Sequence, residues 1–155
     1  MLERVNDSDL SEKIQEMILK LIDPMEEGMI NFIFVTDVPF LGYTIFNEGL
    51  GKHFILINIK VKEMICEEAA VEIVYAMLSH EIGHVIKDRE SHETSCIEAD
   101  KKALVLLGKI YKNPKEVLLK QINYAEKKSL ESNATKREKE MTISLAKRRR
   151  NALKT

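Results

Sequence analysis

His80, Glu81 and His84 stand in the order His-Glu-x-x-His, within the run His80-Glu81-Ile82-Gly83-His84. Two imidazoles four residues apart share one face of a helix, so both can reach a single ion. Zinc accepts such nitrogens at ~2.0–2.1 Å. Glu81 lies one residue on, about 100° round a helix from His80. From there it cannot easily join the histidines as a ligand, but it can touch a water held by the metal. It would act as general base while the ion lowers the water's pKa. A match of this kind arises by chance only ~0.01 times in a chain of this composition. The competing reading is two surface histidines beside a helical Glu. Gly83 costs roughly 1 kcal/mol in a helix interior relative to Ala. Its missing side chain leaves room for another element or a substrate.

A catalytic zinc needs a third protein ligand and an open position. Downstream of the motif lies Cys96-Ile97-Glu98-Ala99-Asp100. Thiolate is a good zinc ligand at ~2.3 Å. The bland reading of Cys96 is a buried structural thiol. Asp100 can accept from a ligand histidine and fix its tautomer, or simply complement the start of a helix.

The runs Val71–Val85 (VEIVYAMLSHEIGHV) and Cys96–Gly108 (CIEADKKALVLLG) resemble the compact gluzincin metallopeptidases of the HtpX and ImmA/IrrE types. Ile57-Asn58 before the motif helix adds to the likeness, which covers about Phe54 to Gly108. The resemblance implies a zincin-like fold, with a strand leading to the helix that carries His-Glu-x-x-His. It also implies a second helix bringing a Glu ligand four residues before an Asp, an edge strand that pairs with an extended peptide, and a peptide or protein substrate. Repressors of mobile elements are the substrates of ImmA-type relatives, an expectation from resemblance alone. Here the position four before Asp100 is Cys96. Three readings stay open: Cys96 is the ligand, a helix shift brings in Glu98, or the third ligand is lost and the protein is a non-catalytic relative. Helical register favours Cys96, since Glu98 is about 200° from Asp100. The resulting set is His80, His84 and Cys96 on Zn²⁺, with Glu81 as the catalytic base. Peptide deformylases also combine His-Glu-x-x-His with a Cys, although theirs lies upstream. His53 and His92 could donate to a tetrahedral intermediate; the simpler reading is ordinary strand or surface histidines.

The elements that must position these residues follow from pattern. Asp7 or Ser8 caps a first helix whose Leu10, Ile14, Met17, Ile18, Leu21 and Ile22 share a face. Pro24 and Gly28 stop it. Met29–Val35 reads as a strand, and Tyr43–Phe46 with His53–Ile59 as a hairpin whose connector carries two glycines. Tyr75 packs in the core. One long helix spans Glu67 to about Lys87, a second Thr94 to Lys109. A third starts at Asn113-Pro114 and a fourth at Ser132 or Thr135. The fold class is α+β: a small, mostly antiparallel sheet packed on the active-site helix, followed by several helices.

The 155 residues, 45% hydrophobic and 32% charged, suit a protein with one real core. Residues 1–130 form the metallopeptidase-like domain and 131–155 a basic C-terminal helix or tail. From Glu126 onward ten Lys/Arg face four Glu, a net +6 that leaves −7 on the rest. Lys147-Arg148-Arg149-Arg150 could touch phosphates, but the region has few aromatics to stack on bases. The alternative is a solvated, frayed helix. Two cysteines are too few to staple a fold, and no apolar run approaches the ~20 residues needed to span a bilayer. A cytoplasmic zinc peptidase is the leading expectation, with no membrane partner. The alternative is an inactive, peptidase-like binding or regulatory protein.

Overall fold

A computed structural model describes residues 2–24, 28, 30–87 and 96–154. Its first element is a three-residue strand, β1 (Glu3–Val5), followed by α1 (Ser8–Leu21). Asp7 is the cap: its Oδ1 accepts from Leu10 N at 3.0 Å and so satisfies one orphan amide of the first turn. The anticipated stripe on α1 is buried, from Leu10 through Ile22. Lys109 Nζ donates to Leu21 O at 2.8 Å, a cation against the helix's free carbonyls.

Strands β2 (Phe32–Thr36), β3 (Gly42–Asn47) and β4 (Lys52–Asn58) follow. The sheet order is β1-β2-β4-β3. The β3–β4 pair is the expected antiparallel hairpin, and Gly51 in its connector takes a positive φ of 63°. The structure adds to the three-strand expectation in two ways. β1 pairs antiparallel with β2, and β2 pairs parallel with β4, so the four-stranded sheet is mixed. Asp37 turns the chain out of β2 with a φ of 59°, a conformation that Asp tolerates. This topology leaves β3 on an edge.

The rest is helical: α2 (Val61–Met64), α3 (Glu68–Lys87), α4 (Cys96–Leu107), α5 (Pro114–Glu131) and α6 (Lys136–Leu153). Pro114 opens α5, and Thr135 caps α6 by accepting from Glu138 N at 3.2 Å. No helix among the described residues is long and apolar enough to cross a membrane. The core joins the inward face of α1, Phe34 of β2, Ile55 and Ile57 of β4, and α3. Val74, Ala76, Leu78 and Ile82 of α3 are wholly buried, and Tyr75 is buried as expected. α3 is the hub, packing on β3, α4 and α5, while α6 lies on α5 and α4.

Candidate metal centre

α3 meets three neighbours along the turn that carries His80 to His84, and two glycines allow it. A Cβ on Gly83 would stand 2.7 Å from Ala99 O, so α4 lies directly against the α3 backbone. A Cβ on Gly42 would run into Met77 Sδ, so β3 packs against α3 side chains on another side. The space left open at Gly83 is therefore filled by α4.

This close approach brings the first turn of α4 to the two histidines. His80 Nε2 and His84 Nε2 are 3.1 Å apart, and Cys96 Sγ lies 3.9 Å from His84 Nε2. The three donor atoms lie within 4.8 Å of one another and could hold a metal ion. Three lone-pair donors converging in this way are stable only with a proton or a cation among them. Glu98 is exposed and paired with Lys101 at 3.3 Å, away from the cluster. Among the three third-ligand readings, the structure brings Cys96 to the histidines.

Behind the cluster, Asp100 Oδ1 is 2.6 Å from His80 Nδ1. Arg149 of α6 reaches the same carboxylate with both prongs of its guanidinium. Nε donates to Oδ2 at 2.8 Å and NH2 to Oδ1 at 2.7 Å. NH2 also donates to Gln121 Oε1 at 3.1 Å and lies 3.2 Å from His80 Nδ1. Asp100 and Arg149 are both buried. Gln121 carries no signal in the sequence, and Arg149 figures there as one cation of a run read as a possible phosphate contact. The only sequence signal for Arg149 is its place in a basic run, which carries no information about a partner 49 residues away.

The electrostatics follow from these contacts. Burial alone would raise the Asp100 carboxyl, but Arg149 and His80 together hold it below the usual carboxylate range. Burial disfavours the charged form of His80, yet Asp100 and Cys96 lift it to about 9. Burial likewise pushes the Cys96 thiol up, but His80 and His84 bring it down to about 6. The two opposite shifts favour a thiolate beside an imidazolium in the metal-free cluster. A cation would take the proton's place.

Glu81 is 5% exposed and borders the same cavity as the cluster. Thr44 of β3 lies 3.2 Å from Glu81 O and 3.3 Å from its Oε2. The single hydroxyl hydrogen can serve only one of these acceptors at a time. The cavity is about 760 Å³, walled by Tyr43 to Phe46 of β3 on one side and by residues of α5 and α6, including Tyr124 and Leu145, on the other. His53 also borders it, with its ring 4.8 Å from that of Phe46. His92 lies outside the described residues.

No family profile, curated protein or solved structure matches this chain.

Proposed function

We propose that this protein is a zinc-dependent peptidase. The observation that supports it most is the convergence of His80 Nε2, His84 Nε2 and Cys96 Sγ within 4.8 Å, with the Glu81 carboxylate on the same cavity. Tetrahedral zinc with ligands at ~2.0–2.1 Å (N) and ~2.3 Å (S) would set its nitrogens ~3.3 Å apart and sulfur ~3.6 Å from nitrogen. The spacings of 3.1 and 3.9 Å suit that arrangement. Two imidazoles and one thiolate also leave a fourth position toward the cavity, the hallmark of a catalytic rather than a structural site.

Zinc held there would supply Lewis acidity toward a carbonyl and a lowered pKa for a water molecule. The chain's own groups do the rest. Glu81 takes the proton of the attacking water on its carboxylate and returns it to the leaving amine nitrogen. Thr44 Oγ1 holds that carboxylate in place from β3. Asp100 accepts the His80 Nδ1 proton and so keeps the Nε2 lone pair facing the cluster. β3 is an edge strand of the described sheet and runs along the cavity wall, where an extended peptide would add as a further strand.

The test is digestion of a mixed peptide library, read by mass spectrometry, with wild type, the Glu81→Gln variant and metal-stripped protein. Cleavage by wild type alone, restored to the stripped protein by zinc, is the expected result. Equal cleavage by Glu81→Gln would contradict the mechanism.

A second reading keeps the metal and drops the chemistry. Cys96 stands where the resembling peptidases have Glu, and a binding module on the same frame would tolerate that change. It predicts four protein ligands and no cleavage. A nucleic-acid role for the C-terminal helix is less supported, because Arg149 is buried against Asp100 and Arg150 is half-buried in a pair with Glu126.

A further inference from the structure

The C-terminal helix sends one side chain through to the back of the cluster. Arg149 is 6% exposed, and its partners Asp100 and Gln121 are buried as well. Burying a guanidinium is costly unless its hydrogens find acceptors in good geometry. Here three do: Nε–H on Asp100 Oδ2, and the two NH2 hydrogens on Asp100 Oδ1 and Gln121 Oε1.

That count settles a proton. NH2 is 3.2 Å from His80 Nδ1 but has only two hydrogens, and both are engaged elsewhere. A 2.6 Å contact between Nδ1 and a carboxylate oxygen requires one hydrogen between them. Both carboxylate oxygens already accept from the guanidinium, so Asp100 is the acceptor in this contact too. The hydrogen therefore belongs to Nδ1, which leaves Nε2 as the nitrogen that faces the cluster and can give up its own proton to a cation. Without the guanidinium, the carboxylate loses the fork that fixes its orientation, and with it the acceptor aimed at Nδ1. The imidazole is then free to turn from the orientation that points Nε2 at His84 and Cys96.

We infer that Arg149 is a positioning residue of the metal centre: acting through Asp100, it fixes His80 as the Nδ1–H tautomer, and α6 is thereby part of the site. The inference rests on the reading of His80 as a metal ligand. A lysine could not substitute for it, since one ammonium lacks the planar fork that spans both carboxylate oxygens.

The test measures zinc affinity of purified, metal-free full-length protein by competition with a chromophoric chelator. The proteins are wild type, Arg149→Ala, Arg149→Lys, Asp100→Asn, the Arg149→Ala/Asp100→Asn double variant and Arg150→Ala. Arg150 anchors the same helix to Glu126 and controls for loose docking of α6. Loss of an outer partner of a ligand histidine typically weakens metal binding 10- to 100-fold. Arg149→Ala and Asp100→Asn should each fall about that far, the double variant no further than the weaker single, and Arg150→Ala should match wild type. The zinc-loaded wild type should also show a downfield His80 Nδ1 proton resonance that Arg149→Ala loses and Arg150→Ala keeps. If Arg149→Ala fails to fold, Arg149→Lys decides, with a several-fold loss expected. Wild-type affinity in Arg149→Ala or Arg149→Lys, or losses that multiply in the double variant, would overturn the inference. Wild type that binds no zinc would instead sink the metal reading itself, a different result from an Arg149 variant that binds normally.

Discussion

Gly83 and Ala99 touch backbone to backbone: a methyl group on Gly83 would sit 2.7 Å from the Ala99 carbonyl oxygen and 3.1 Å from its Cα. Ala99 lies three residues after Cys96, so this contact sets the distance from the thiolate to both histidines. Gly→Ala inside a helix ordinarily stabilises by roughly 1 kcal/mol. Here the overpacking should outweigh that gain, for a net loss of about 1–3 kcal/mol. Gly83→Ala should lower the urea midpoint and weaken zinc binding together. A variant more stable than wild type would mean that α4 does not lie where the contact places it.

Cys96 and Glu98 make opposite predictions. Cys96→Ser removes a donor atom from the cluster and should cost most of the bound zinc. Glu98→Ala removes an exposed carboxylate that pairs with Lys101 and is not among the converging donors, and should leave metal content unchanged. Elemental analysis of both purified variants checks this. Loss of metal in the Glu98 variant alone would reverse the ligand assignment.

Glu81→Gln keeps the shape of the side chain, and its amide still meets Thr44. Metal binding should stay within a few-fold of wild type. Hydrolysis should fall by about 10²–10⁴, the usual contribution of a positioned base. Parallel measurement of zinc content and peptide cleavage separates the two effects.

The Asp100–Arg149 pair predicts a pH dependence for the metal-free protein. The folded pKa of Asp100 is depressed below its ordinary 3.8. Its stabilisation is complete above 3.8 and is lost as the pH falls through the depressed value. Between neutral pH and pH 2, wild type should therefore lose more stability than Asp100→Asn, which has no proton to bind there. Thermal denaturation across that range tests it, and parallel curves for the two proteins would contradict it.

Much of this was legible in the sequence because the signals were local. His80, Glu81 and His84 lie on one helix, so spacing alone gave their common direction. The Asp7 cap, the α1 stripe, the Pro114 start and the hairpin connector are likewise short-range features. Helical register likewise put Cys96, and not Glu98, on the face of α4 that meets the histidines. The parallel pairing of β2 with β4 left no trace, because residue alternation does not say which strand is a neighbour. β1, at three residues, is too short to show a period. Arg149 was hidden for a related reason. In a run of four cations, nothing local distinguishes the one that meets a buried carboxylate from those that face water.

X-ray absorption at the zinc edge on purified native protein, with elemental analysis for stoichiometry, tests the central claim most directly. One zinc per chain, with two nitrogen ligands at ~2.0–2.1 Å, one sulfur at ~2.3 Å and one further light-atom ligand, is the predicted result. A protein that takes up no zinc, or holds it without sulfur, would contradict it.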